Sequence, residues 1–230
     1  MTDKTELSER ELLRLHLEAV WGVHVPPIVG YSVDLEPSEA LPPWELYLAH
    51  FGGIHIAIWR PDVLSTHRVA LLRRGHEADP IFNPAIAMRR ETVFYPPAEQ
   101  PADARHTTRL LTEDDAPLLE EFEAESASYY LDPARGPCFG VIIDGRLTSV
   151  AHSSRRTAEA CELGIDTLPD ARRQGCAHAA TLAWTRAIRQ EGLIPLYSAF
   201  ARNTASLRLA ASCGYAEAIA GAYGPMEAEE

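Results

Sequence analysis

The sequence is short of positive charge, of paired cysteines and of long apolar runs, and each shortage excludes something. Lys and Arg number 21 against 33 Asp and Glu, a formal net charge of −12 over 230 residues. Nucleic-acid and anionic-membrane binders need a basic face, so neither class is expected, while a local basic pocket for one small anion stays open. No apolar run approaches the ~18 residues of a bilayer span. The start, MTDKTELSERELLRL, is charged rather than a secretory signal. Cys138, Cys161, Cys176 and Cys213 form no CxxC pair, so they read as reduced thiols in a cytoplasmic protein. The nine histidines include no HxxxH or HExxH, so no metal is expected. The absence of GxGxxG and GxxxxGK[ST] argues against a doubly wound nucleotide-binding domain.

What is present suits a globular protein. Hydrophobic residues make up 46% of the chain, enough for a real core, in one large domain or two small ones. Proline divides the chain unevenly: eleven of 17 lie before residue 106, and Tyr95 to Gln100 and Pro101 reads as an extended linker. The expected boundary is near 104, giving residues 1–104 and 105–230. The acidic tail, Met226 to Glu230, is the one biased segment.

The first part opens with a helix, because Ser8 and Glu11 fit a capping box and Leu12, Leu15 and Ala19 share one face. Residues 22–45 read as proline-punctuated loop. Ile54, Ile56 and Ile58 alternate as a strand after a Gly52-Gly53 turn, and Val69 to Leu72 reads as its neighbour. Nothing here names a reaction.

The second part alternates strands with helices, the pattern of an α/β or α+β fold. Thr107 to Leu111 is a short strand, followed by an acidic helix capped by Thr112 with Leu118, Leu119 and Phe122 inward. Phe139–Ile143 and Leu147–Ala151 form a hairpin around Asp144-Gly145. A strand over 159–167 runs to Pro169. A helix over 176–191 carries Ala177, Ala180, Trp184 and Ile188 on one stripe, with Gly192 as its stop. A strand over 194–198 and a helix over 204–213 complete it.

The chemistry lies in Glu162 to Ala177, where a strand passes through a turn bearing Arg172 and Arg173 into a helix. A helix N-terminus offers free N–H groups and the positive end of its dipole, which suits phosphate, and Gly175 and Ala177 leave it uncrowded. Spacing alone leaves this equal to an ordinary strand–turn–helix with solvated arginines.

Here the sequence resembles the GNAT acyltransferases. Arg172-x-x-Gly175-x-Ala177 matches their pyrophosphate signature, and Asn203-x-x-Ser206-x-x-Leu209 with Gly214-Tyr215 is similar to their next motif. The run from Glu162 to Tyr215 is especially similar to zwittermicin-resistance-type N-acetyltransferases, and the likeness covers residues 106–225. It implies a mixed, mostly antiparallel sheet flanked by helices there; the first hundred residues, which it does not explain, are expected to form a smaller N-terminal α/β lobe. It implies that the strands at 162–167 and 194–198 splay apart around the acyl-pantetheine arm of acetyl-CoA.

The resemblance implies roles for single residues. Backbone groups near Leu163, Ile165 and Thr167 meet the arm, with Gly164 a suitable place for a bulge. Arg172 and the amides of Arg173, Gln174, Gly175, Cys176, Ala177 and His178 hold the pyrophosphate. Asn203 caps the last helix, touches CoA, or both, and Ser206 packs or touches CoA. Glu162 stands where family members place the carboxylate that takes the amine's proton; Glu159 and His152 are weaker choices, and its plainer role is a solvated or ion-paired strand residue. The tyrosine that often protonates the leaving thiolate is replaced by Ala210, and Tyr197 and Tyr215 read as core.

The expected activity is acetyl transfer to a primary amine of a small molecule. The alternative is a non-catalytic acyl-CoA-binding or interaction module on the same fold. Residues 1–104 are expected to shape the acceptor site or to mediate homodimerisation.

Overall fold

The computed structural model describes residues 7–37, 41–76, 88–97 and 105–226. Most of the expected linker, the boundary near 104 and residues 227–230 of the acidic tail lie outside them. In chain order the elements are α1 (Glu9–Trp21), β1 (Ser32–Asp34), β2 (Trp44–Phe51), β3 (Ile54–Trp59), α2 (Ser65–His76), β4 (Arg89–Tyr95) and β5 (Thr108–Leu110). They continue with α3 (Ala116–Phe122), α4 (Ala127–Tyr130), β6 (Phe139–Ile143), β7 (Arg146–Arg156), β8 (Ala160–Thr167), α5 (Cys176–Gln190), β9 (Ile194–Phe200), α6 (Thr204–Ser212) and β10 (Ala216–Met226). The fold is mixed α/β, with mostly antiparallel strands flanked by helices.

The chain packs as two compact units, and neither is one continuous stretch. The first joins the chain up to Val93 with Ala199–Thr204 and the segment from Glu217; the second holds Phe94–Ser198 and Ala205–Ala216. A single cut near 104 does not describe this division.

In the first unit the strand order is β1-β3-β2-β10-β4. The Ser8 hydroxyl accepts the Glu11 N–H at 3.3 Å, one half of the expected capping box, while the Glu11 carboxylate pairs with Arg14; Leu12, Leu15 and Ala19 are buried, as the periodicity requires. Gly52 and Gly53 both adopt positive φ in the turn joining β2 to β3. Two expectations are corrected. Val69 to Leu72 lies in helix α2, not in a strand: Leu71 is 0% exposed and Val69 57%, so only one side of the apolar run is buried. The stretch read as loop over 22–45 contains β1 and the start of β2. Trp59 Nε1 donates to the Ser32 hydroxyl at 3.0 Å across the parallel β1–β3 pair.

In the second unit the order is β9-β8-β7-β6-β5, antiparallel except for the β8–β9 pair. Asp144 and Gly145, both at positive φ, turn β6 into β7 as their dipeptide demands. The acidic segment after Thr112 begins as a 3-10 turn before α3, with the Asp115 carboxylate accepting the Thr112 N–H at 3.0 Å. Helix α5 packs on β6, β7 and β8. Adjacent strand residues face opposite sides: Ser153 of β7 accepts the Trp184 indole N–H of α5 at 3.2 Å, while its neighbour His152 meets Tyr129 and Tyr130 of α4. The two faces of β7–β8 are therefore covered by different helices.

Candidate active site

Strand β8 is held unequally along its two edges. Its pairing with β7 runs from Cys161 to Thr167. Among the described residues its parallel pairing with β9 covers only Ala160, Cys161 and Glu162. The two strands part beyond Glu162, as the resemblance implies. At that point the Glu162 side chain, buried, accepts both the backbone N–H and the hydroxyl of Ser198, each at 2.8 Å. The carboxylate supplies the acceptor that a continued strand pairing would have offered to the Ser198 N–H. It is not a solvated strand residue. Leu163, Ile165 and Thr167 follow on the parted stretch, with the Thr167 hydroxyl 2.7 Å from that of Ser149 on β7.

The register places no bulge at Gly164, contrary to expectation. Gly164 pairs regularly with His152, and the irregularity lies in β7 between Ser153 and Arg155. The glycine serves another purpose: a β-carbon there would stand 2.3 Å from His152 Cε1, so the imidazole lies where a side chain would be. Burial, aided by the nearby Arg135 charge, holds the His152 imidazole down at about 4, below its usual 6.5. Its Nε2 lies 3.3 Å from the Tyr129 hydroxyl. The Tyr130 hydroxyl donates to Asp166 at 3.1 Å and, with burial, is pushed well above the usual tyrosine range.

After β8 the chain makes a 3-10 turn at Pro169–Ala171 and enters α5 through Arg172, Arg173 and Gln174, all exposed. Gly175 caps α5 at φ +93°, without a side-chain hydrogen bond to the helix's first amides. The first α-helical bond runs from the Ala179 N–H to the Gly175 carbonyl at 3.1 Å, which leaves Cys176, Ala177 and His178 in the amide-presenting first turn. The Cys176 side chain is core. The His178 imidazole turns away, donating from Nε2 to the Ser212 carbonyl at the end of α6 at 3.1 Å.

Nothing in the sequence singles out His106, which sits 68 positions from its partner. Its Nε2–H donates to the Gln174 carbonyl at 2.9 Å. A β-carbon on Gly175 would lie 3.8 Å from His106 Cδ2 and 3.9 Å from Arg105 Cδ, so two basic residues border the turn.

Asn203 stands immediately before α6. Ser206 is tied to β9: the Tyr197 hydroxyl donates to its carbonyl at 3.1 Å and lies 2.9 Å from its Oγ. Tyr197 and Tyr215 are core, and burial pushes the Tyr197 hydroxyl up to about 12. Ala210 is completely buried, with its carbonyl accepting the Tyr215 N–H at 3.0 Å.

The family model described as GNAT acetyltransferase matches residues 104–220. A GNAT-family protein from Novosphingobium aromaticivorans is 24% identical over 64% of this chain and 70% of its own, with a TM-score of 0.48. A GNAT-family acetyltransferase from Colwellia psychrerythraea shares the fold at a TM-score of 0.51, with 12% identity over 69% of this chain and 61% of its own. The ribosomal-protein-S18-alanine N-acetyltransferase of Escherichia coli is 16% identical, covering 54% of this chain and 96% of its own, with a TM-score of 0.40. No curated protein matches the chain. With its model spanning half of the sequence, the chain belongs to the GNAT acetyltransferase family.

Proposed function

We propose that the protein is an acetyl-CoA-dependent N-acetyltransferase acting on a primary amine of a small molecule, of the zwittermicin-resistance-type branch. One observation carries the reading: β8 parts from β9 at a buried carboxylate, Glu162, and then runs on toward the Arg172–Ala177 turn. Gly175, side-chain-free at positive φ, fits the close approach of a phosphate to backbone amides. Leu163, Ile165 and Thr167 would line the pantetheine arm; Arg172 and the amides from Arg173 to His178 would hold the pyrophosphate, with Asn203 and Ser206 at the second motif. The acetyl thioester supplies the activated carbonyl: the amine nitrogen forms the C–N bond as the C–S bond breaks. Glu162 takes the amine proton, directly or through water, and the thiolate, with a pKa near ~8.5, leaves without a dedicated acid. Residues 1–104 take the remaining role, acceptor selection or dimerisation. The buried cysteines suit the expected cytoplasmic location.

A second reading, an acyl-CoA-binding module without turnover, is favoured by the buried Ala210 where the family's acid stands. Calorimetric titration with CoA, followed by thiol release from acetyl-CoA over a panel of primary amines, separates the two. Binding with amine-dependent release supports the enzyme; binding without release supports the module; no CoA binding sinks both.

A further inference from the structure

The face of β7–β8 opposite α5 is bordered by a cation, Arg135, without an acidic partner among the described residues. Glu162, Gly164 and Asp166 alternate on β8, and His152 sits across from Gly164, so these residues share one face. Of the acids on it, Glu162 is hydrogen-bonded to Ser198 and Asp166 to the Tyr130 hydroxyl. Arg135 reaches the same neighbourhood from the short turn after α4. Its guanidinium lies 3.9 Å from the centre of the Tyr129 ring, and one nitrogen donates to the Ser154 carbonyl of β7 at 3.3 Å. Among the described residues it has no ion pair.

Two features show that this polar lining is incomplete by itself. Tyr129 is 42% exposed, although the Arg135 guanidinium lies over its ring and the His152 ring meets it at a steep angle, 5.4 Å between centres. His152 is buried, yet its Nδ1 has no hydrogen-bond partner among the described residues. An unmet buried nitrogen and a planar guanidinium with donors to spare both call for an external polar group. The guanidinium fork is matched best by a carboxylate, and stacking on Tyr129 holds the fork in place. Glu162, on the same face, offers the opposite charge to an ammonium.

We propose that the acceptor is an amino acid: its carboxylate is held by Arg135 beside Tyr129 and His152, while its amine turns toward Glu162. The proposal rests on the acetyltransfer reading and names its substrate class. Arg135 is then a specificity-determining residue, outside the acetyl-CoA contacts.

The test is calorimetric titration of the CoA-loaded protein with four matched pairs: glycine and methylamine, leucine and isopentylamine, phenylalanine and phenethylamine, lysine and cadaverine. Each pair differs by the carboxylate alone. In at least one pair the acid should bind tenfold or more tightly, the range of one charged, bidentate hydrogen bond. Arg135→Gln should abolish that difference and leave CoA affinity and melting temperature unchanged. Arg135→Lys should retain part of it, because the charge remains without the fork. If no acid outbinds its amine in any pair, or if the preference survives in folded Arg135→Gln, the proposal is overturned. Failure of the wild type to bind CoA would instead overturn the acetyltransfer reading; the same pairs, titrated without CoA, still report on Arg135.

Discussion

Glu162 and Ser198 stand across the point where two parallel strands part, with one carboxylate oxygen accepting both the N–H and the hydroxyl of Ser198 at 2.8 Å. The pair has a structural duty, to which the proposed reaction adds a chemical one. A carboxylate that only closed the fork between β8 and β9 would be replaceable by an amide, whose oxygen can accept the same two hydrogens. A carboxylate that also takes a proton would not be.

That difference is measurable. Glu162→Gln should lower kcat/KM by ~10²–10⁴, with the larger loss at low pH where free amine is scarce. Melting temperature should change little. Glu162→Ala, which removes the acceptor altogether, should also destabilise by ~1–3 kcal/mol. Near-normal kcat/KM of Glu162→Gln across pH 6–9 would assign the residue to the fork alone.

Gly175→Glu should weaken CoA binding by at least an order of magnitude, since it sets a like charge against the pyrophosphate. Gly175→Ala separates charge from strain: at φ +93° it carries a backbone cost of ~1–2 kcal/mol but no repulsion. Its CoA affinity should lie between those of wild type and Gly175→Glu. Equal CoA affinity for a folded Gly175→Glu protein would remove this turn from the binding site.

The seat of His152 predicts a pair of compensating changes. In Gly164→Ala the new methyl lies 2.3 Å from Cε1 of His152, and the imidazole must shift or the strands must spread. Such overpacking costs ~1–3 kcal/mol, read as a lowered urea midpoint. Adding His152→Ala should return part of the loss, because the two positions compete for one space. Strict additivity of the two substitutions would show that they do not.

The same imidazole makes stability depend on pH. Its value in the folded protein is about 4, against an ordinary 6.5, so between these limits the unfolded chain binds the extra proton. Stability from the neutral form is complete above about pH 6.5 and is lost as pH falls toward 4, by roughly 3 kcal/mol at most. Urea unfolding from pH 7 to pH 4.5 should show this fall. His152→Gln should flatten it, and an unchanged slope in the variant would place the pH dependence elsewhere.

Several features of the second unit follow from neighbouring residues alone. Asp144-Gly145 accepts the positive φ of a tight hairpin, and Gly192 the left-handed stop after α5. The strand, arginine-bearing turn and amphipathic helix from Glu162 to Ile188 are likewise legible, since each depends on contacts or dihedrals a few positions apart. Val69 to Leu72 shows where this ends: four apolar residues suit a strand or a helix, and the choice fell to which of them the core could take, Leu71 and not Val69. Only the tertiary structure decided the pairs around the candidate site. Glu162 meets Ser198, His106 meets Gln174, and His152 fills the space Gly164 leaves open. Periodicity records which side of an element turns inward; strand register and the parting of β8 from β9 decide what it meets there.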